Sequence, residues 1–301
     1  MTPQELSRPP ASVAGALHRA GAERFEPGLI GRLRADEHTR VLVVQDDRAA
    51  LQAPGRLRFV APREVRTNAR WAFLGRDEAG AGVLVAALPS DATAADDAGD
   101  CVSLRTLGAV LPAAEADTLV TAVCLARWLH DAAFCTTCGE RAELATAGWS
   151  RLCSGCGREH FPRTDPAVIV AVASRDGERL LLGQNALWAA EGGYSAFAGF
   201  VEAGEGLEAA VAREIQEEAG VQVTDLRYRG SQAWPYPRSL MLGFEATAID
   251  EHNARPDGEE IVRVRWFARA ELEDALAGEG PVRLPGPSSI AHRLIAGWLA
   301  G

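Results

Sequence analysis

Apolar positions fall into two kinds of block along the 301 residues. Short runs bounded by Gly, Pro or Asp stand at 41–44, 57–60, 71–74 and 83–88, and such runs between turn residues predict strands. A helical period follows at 113–134, with Leu119, Val123, Ala126 and Leu129 near one face. Residues 167–173 are almost unbrokenly apolar, as in a strand buried on both faces. Further strands are predicted at 180–182, 194–197, 226–232, 240–248 and 262–267, and helices at 207–219, 270–277 and 290–299. The acidic, Ala-rich stretch 89–100 predicts a loop. The first third therefore predicts a small α+β domain. The mixed strands and helices of the last section predict an α/β/α sandwich with a mixed sheet.

Composition narrows the class. At 47% hydrophobic the chain is an ordinary globular one, and its length suggests roughly two domains. A net charge of −10 argues against broad non-specific nucleic-acid binding, though not against a local basic groove. All 31 basic residues are Arg. No basic stretch leads into an apolar core at the N-terminus, and no run approaches a membrane span, so a cytoplasmic protein is expected.

Six cysteines in such a chain suggest metal before disulfides. Cys135-x-x-Cys138 and Cys153-x-x-Cys156 are each followed by Gly and are separated by 14 residues. This is zinc-ribbon spacing: four thiolates close a tetrahedron around Zn²⁺ and leave no open position, so the metal is structural. Cys101 and Cys124 have no partner at ligand spacing and are expected as buried thiols. The expected domains are 1–130, a ribbon over 131–162, and a third domain over 163–301.

The densest chemistry lies in 199–221. A Gly-flanked loop feeds an Ala-rich helix carrying Arg213, Glu214, Glu217 and Glu218. Residues three and four apart share a helix face. Three like charges on one face are unfavourable for a bare helix and favourable around a hard cation, which prefers carboxylate oxygens and brings phosphates with it.

This segment resembles the Nudix box. Gly199, Glu205, Arg213, Glu214, Ile215, Glu217, Glu218, Gly220 and Val221 fill its fixed places. The resemblance implies a Nudix α/β/α sandwich and hydrolysis of a nucleoside diphosphate linkage with Mg²⁺ or Mn²⁺. It implies Glu214, Glu218 and the Ala198 carbonyl as metal ligands, with Arg213 as a brace through Glu205. Glu217 either binds a second ion or tunes the field. Glu218 is favoured as general base.

A second motif narrows the substrate. Ser231-Gln232-Ala233-Trp234-Pro235-Tyr236-Pro237-Arg238-Ser239 is similar to a signature of the NADH pyrophosphatase branch, with Ala233 in place of Pro and Tyr236 in place of Phe. Proline-stiffened aromatics present flat surfaces to a purine or nicotinamide ring, and Gln and Ser supply orienting hydrogen bonds. That branch has this domain order, and the resemblance extends to most of the chain. It implies Glu260 as a further metal ligand, with Glu259 as the adjacent rival, and Phe200 as a ring-stacking residue. It also implies Arg105 and Ala291 as substrate contacts, and a homodimer. Phe161 stands where the branch often has Tyr and lacks the hydroxyl. The implied reaction converts NADH or NAD⁺ to nicotinamide mononucleotide, reduced or oxidised, and AMP, with NAD-capped RNA as a related substrate. The alternatives are a pyrophosphatase for ADP-ribose or another dinucleotide, and a non-enzymatic nucleotide-sensing regulator.

Overall fold

The computed structural model of the chain describes residues 17–65, 68–91 and 101–301. One compact unit is Pro10–Arg163, and the other contains Thr164–Gly301. The loop expected at 89–100 lies mostly outside the described residues.

The first unit is built on β1 (Arg40–Gln45), β2 (Arg48–Ala53), β3 (Arg56–Leu57), β4 (Phe59–Val60), β5 (Arg70–Arg76), β6 (Gly82–Leu88) and β7 (Cys101–Ser103), in the order β3-β2-β1-β6-β5, with β4 on β1 and β7 on β2. Helix α1 (Leu29–Ala35) buries Leu29 and Leu33 against Val41, Trp71, Phe73 and Leu84. After α2 (Leu104–Leu107), the long α3 (Ala113–Asp131) buries Leu119, Val123, Ala126 and Leu129, the face that the helical period predicts. The single strand expected at 57–60 is two, because Leu57 pairs with β2 and Phe59 with β1.

The ribbon belongs to this same unit. Its strands β8 (Ala142–Ala145), β9 (Ser150–Cys153) and β10 (Glu159–His160) are antiparallel. Buried Arg151 ties them to α3, donating to the Leu129 carbonyl at 2.6 Å and to the Ala142 carbonyl at 2.8 Å. The Trp149 indole N–H donates to the Phe73 carbonyl at 2.7 Å.

The second unit has β11 (Asp165–Ala173), β12 (Arg179–Asn185), β13 (Phe197–Phe200), β14 (Val223–Trp234), β15 (Ser239–Ala248) and β16 (Ile261–Ala268) in the order β14-β15-β11-β12-β16, with β13 beside β11. β11 and β15 are parallel and the other pairs antiparallel, so the sheet is mixed. Helix α4 (Leu207–Ala219) covers one face, and α5 (Arg269–Leu276) and α6 (Ile290–Ala300) cover the other. This is the expected α/β/α sandwich. The apolar run of β11 now has its reason: Val168, Val170 and Val172 face α4, while Ile169 and Ala171 face α6. Each Val or Ile side chain contributes roughly 1.5–3 kcal/mol when fully buried.

The strand expected at 194–197 lies at 197–200 instead. Tyr194 is apolar in pattern because it packs edge-on against Phe267, at 5.0 Å between ring centroids. Its N–H donates to the Arg283 carbonyl rather than to a ladder.

Candidate active site and zinc-binding site

The two Cys-x-x-Cys turns bring four sulfurs together, all within 4.8 Å of one another. Cys135 and Cys156 are 3.7 Å apart and Cys138 and Cys153 are 3.4 Å apart, sulfur to sulfur. A tetrahedron with Zn–S bonds of about 2.3 Å has edges of about 3.8 Å, so the donor set fits the ion. Backbone amides favour the thiolate at the first sulfur of each turn, while the neighbouring Cys153 sulfur pushes the Cys138 thiol up to about 12. Thr137 N–H donates to Cys135 Sγ and Cys156 N–H to Cys153 Sγ, each at 3.4 Å. The N–H groups of Cys138 and Thr137 hold the Cys135 thiol down to about 5. The His160 ring nitrogen lies 3.2 Å from the same sulfur. Cys101 and Cys124 are half-buried rather than buried, and desolvation pushes the Cys124 thiol up to about 11.

The acidic site is assembled from α4, the edge strand β13 and the segment before β16. Glu214 and Glu218 lie on the buried side of α4 beside Val211 and Ile215, which places two carboxylates under the sheet. Gly199 makes room for the first: a Cβ there would stand 1.9 Å from the Glu214 carboxyl carbon. Arg213 grips Glu205 with two bonds of 2.8 Å, and also donates to Glu214 at 2.8 Å, to Glu217 at 3.1 Å and to the Phe200 carbonyl at 3.0 Å. This is the brace that the sequence suggested. It holds Glu205 down to about 2, chiefly through the guanidinium and then through the Glu202 N–H. Glu217 is largely exposed.

Glu218 is the perturbed group. Burial, then the charges of Glu260, Glu214 and Asp257, push its carboxyl up to about 8. Burial likewise raises Glu214, against the pull of Arg213. One Glu218 oxygen, Oε2, is buried without a hydrogen-bond partner among the described residues. A buried, unpaired carboxylate oxygen among like charges is expensive unless a cation meets it. The donor set is all oxygen, which suits Mg²⁺ or Mn²⁺.

Ladder geometry adds a backbone donor. Val201 N–H donates to Pro166 in the β11–β13 pairing. Hydrogen-bonded and non-bonded pairs alternate in an antiparallel ladder, so Ala198 is a non-bonded position and turns both its N–H and its carbonyl outward. The N–H bonds the Glu218 carboxylate. The carbonyl leaves the strand on that same side.

The second motif closes the β14–β15 hairpin, where Trp234 pairs with Ser239. The rings of Trp234 and Tyr236 lie 5.0 Å apart at 59°. Arg238 is bonded to Asp165 at 2.8 Å. Ser239 and Pro235 are buried, while Ala233 and Pro237 are exposed. Gln232 uses both ends of its amide to hold α6, donating to the Ser288 carbonyl and accepting from the Ile290 N–H, each at 2.7 Å. These bonds tie the hairpin to the helix.

Register joins this hairpin to the box. Phe200, Ala167, Met241 and Gln232 form one row across four strands. Phe200 is exposed. Alternation along the strands places Phe200, Ala198, Met241, Gln232 and Trp234 on the α6 face, where Ala198 and Met241 meet buried Ala291. Three strand spacings, about 14 Å, separate the ends of the row. Ala167 and Met241 floor this shelf and were not legible from motif spacing. Neither was Asp257, which an Asp-Gly turn signal marks only faintly. Glu260 is exposed, and its Oε1 accepts from Asn185 at 3.3 Å. Arg105 stands on α2 and exposed Phe161 near the end of the ribbon, both in the other unit.

A mixed sandwich with carboxylates on the helix beneath its edge strand is the arrangement of a Nudix hydrolase, and residues 163–284 match the NUDIX domain family. Residues 130–161 match the NADH pyrophosphatase zinc ribbon domain. The NAD-capped RNA hydrolase NudC of Mycobacterium tuberculosis is 42% identical over 307 residues, covering 98% of this chain and 94% of that protein. The NAD-capped RNA hydrolase NudC of Chromobacterium violaceum is 39% identical over 255 residues, covering 85% and 87%. A NUDIX hydrolase structure from Nitrosomonas europaea is 24% identical, covers 50% of this chain and 96% of its own, and has a TM-score of 0.38. The chain belongs to the NudC branch of the Nudix hydrolase family.

Proposed function

We propose that the chain hydrolyses the pyrophosphate bond of NADH and NAD⁺, giving nicotinamide mononucleotide, reduced or oxidised, and AMP, and that it removes the NAD cap from RNA. The observation that carries this reading is the unpaired, buried Glu218 Oε2 facing the charges of Glu214 and Glu260 at the edge of the aromatic shelf. Relatives over nearly the whole chain bear the name NAD-capped RNA hydrolase, which supports the substrate class.

Glu214, Glu218, Glu260 and the Ala198 carbonyl would hold Mg²⁺ or Mn²⁺. A bound ion of this kind neutralises phosphoryl oxygens and lowers the pKa of water. Glu218 is the general base: it takes a proton from the attacking water. Glu205, through Arg213, keeps α4 and β13 in place. The shelf holds the bases, with Phe200 at one end and Trp234 and Tyr236 at the other. Ala233, Pro235, Pro237, Arg238 and Ser239 shape the hairpin, Gln232 anchors it to α6, and Ala291 backs the floor. Arg105 is a substrate contact by family resemblance alone. The working form is proposed as a cytoplasmic homodimer. Among the described residues no helix is long and apolar enough to cross a membrane.

One competition experiment tests the reading. Purified protein is given NADH, NAD⁺, ADP-ribose and NAD-capped RNA in Mg²⁺ or Mn²⁺, and products are separated by chromatography. AMP and reduced nicotinamide mononucleotide from NADH are expected. A higher specificity constant for ADP-ribose would reassign the substrate, and retention of NADH without turnover would make the chain a sensor.

A further inference from the structure

The segment carrying Glu260 is clamped from several sides. Asp257 Oδ1 accepts from the N–H of Glu259 and from the N–H of Ile261, each at 2.9 Å. Gly258 N–H donates to the Ile261 carbonyl at 3.0 Å, with Gly258 at a φ of 84°, which favours glycine. Glu260 lies between the two bonded amides. Its own carbonyl accepts from Ala186 N–H at 2.9 Å, and its carboxylate from Asn185.

The neighbouring ladder is irregular at the same place. Gln184 opposes Arg263, but Asn185 opposes Ile261, so Val262 is the extra residue of a bulge. Bulges bend a strand and re-aim its side chains. Here the bend sits two residues beyond Glu260. Without a fixed entry the carboxylate of Glu260 would be free to turn away from α4, since Glu260 is exposed. The turn that Asp257 closes supplies that fixed entry.

We infer that Asp257 is a positioning residue for the acidic metal site: its carboxylate clamps the Glu259 and Ile261 amides, and this holds Glu260 toward Glu218 and Glu214. The inference rests on the reading of Glu260 as a metal ligand. Asp257 acts through the backbone and needs no contact with the ion. Side chains that orient metal ligands from behind typically change metal affinity by 10–100-fold when lost. An Asn in its place closes the same turn, because its amide oxygen also accepts from amides two and four residues on.

The test compares wild type with Asp257→Ala, Asp257→Asn, Glu260→Gln and the Asp257→Ala/Glu260→Gln pair. Mn²⁺ binding to the full chain is read from the paramagnetic resonance of the free ion, and amide hydrogen exchange is read at Glu259 and Ile261. Asp257→Ala should weaken Mn²⁺ binding by about tenfold or more and speed exchange at both amides. Asp257→Asn should stay within about threefold of wild type. In the Glu260→Gln background Asp257→Ala should add nothing. Wild-type affinity in Asp257→Ala, equal losses in the Ala and Asn variants, or full additivity in the pair each overturn the proposal. Unchanged Mn²⁺ binding in Glu260→Gln is a separate result: it removes Glu260 from the metal and overturns the reading beneath.

Discussion

Four sulfurs in the ribbon stand within 4.8 Å of one another, each Cys-x-x-Cys turn donating a backbone N–H to its first sulfur. The carboxylates under β13 share a field that resists their ionisation, and one Glu218 oxygen has no hydrogen-bond partner among the described residues. Both regions gather anionic ligands. In the ribbon, backbone N–H groups hold the Cys135 thiol down to about 5, while the neighbouring Cys153 sulfur pushes the Cys138 thiol up to about 12. Under β13, burial and like charge raise the carboxyls. A closed thiolate site stabilises a fold too small for a core of its own. On the reading proposed above, the open carboxylate site is left for ion and substrate to fill. The sulfur cluster and the carboxylate cluster lie in different compact units.

The largest expected effect tests the stabilising half of this contrast. Cys138→Ser should lose the zinc, of which wild type should carry about one ion per chain, and should melt well below wild type. Structural zinc is worth about 10–16 kcal/mol in small zinc-binding peptides, and metal binding there is folding free energy. Elemental analysis and thermal melts check this. A zinc-free wild type purified without chelator would remove the ribbon's role.

Glu218→Gln should invert the pattern. Turnover should fall by about 10²–10³ or more, while the metal-free melting temperature at pH 8.5 should hold or rise, because a buried charge has been removed. Wild-type turnover in saturating Mg²⁺ would release Glu218 from its role.

Trp234→Ala should cost about 1–3 kcal/mol in the specificity constant for NADH, the worth of a stacked base. Its Mg²⁺ dependence should be unchanged, since the ring lies on the α6 face and the carboxylates lie on α4. Equal activity of variant and wild type at sub-saturating NADH would return the hairpin to a packing role.

The smallest effect concerns pH. The folded value of about 8 for Glu218 lies above the ordinary 4.5. A raised carboxyl stabilises the metal-free fold fully below the unfolded pKa and loses that contribution as pH rises through about 8. A metal ion competes with that proton. The thermal stabilisation added by Mg²⁺ should therefore grow between pH 6 and 8.5, with affinity rising by at most about tenfold per pH unit. Identical Mg²⁺ shifts in melting temperature at both ends would show that Glu218 does not exchange its proton for metal.

What could be read from sequence was local. Glu214 and Glu218 share a face because they are four apart, and the thiolates announce themselves by spacing. The doubly buried β11 shows as an unbroken apolar run. Long-range register could not be read. The row from Phe200 through Ala167 and Met241 to Gln232 exists only once four strands have paired. No sequence rule places α6 beside Gln232, so its bonds to Ser288 and Ile290 were not legible. β2 was missed because three of the six residues of Arg48–Ala53 are Ala, and its pairing with β1 and β7 overrides that weak propensity.

The exposed margin of β13 has a further consequence for handling the protein. β13 pairs with β11 alone, and a bare sheet edge recruits a strand from another molecule. Here α4 occupies that margin: Glu218 takes the Ala198 N–H and Arg213 takes the Phe200 carbonyl. The same side chains therefore guard against self-association. Inactive traps for capturing substrate are best made with Gln at 218, which still accepts from the Ala198 N–H. An alanine there would leave the edge uncovered, and aggregation of that variant would be mistaken for a folding defect.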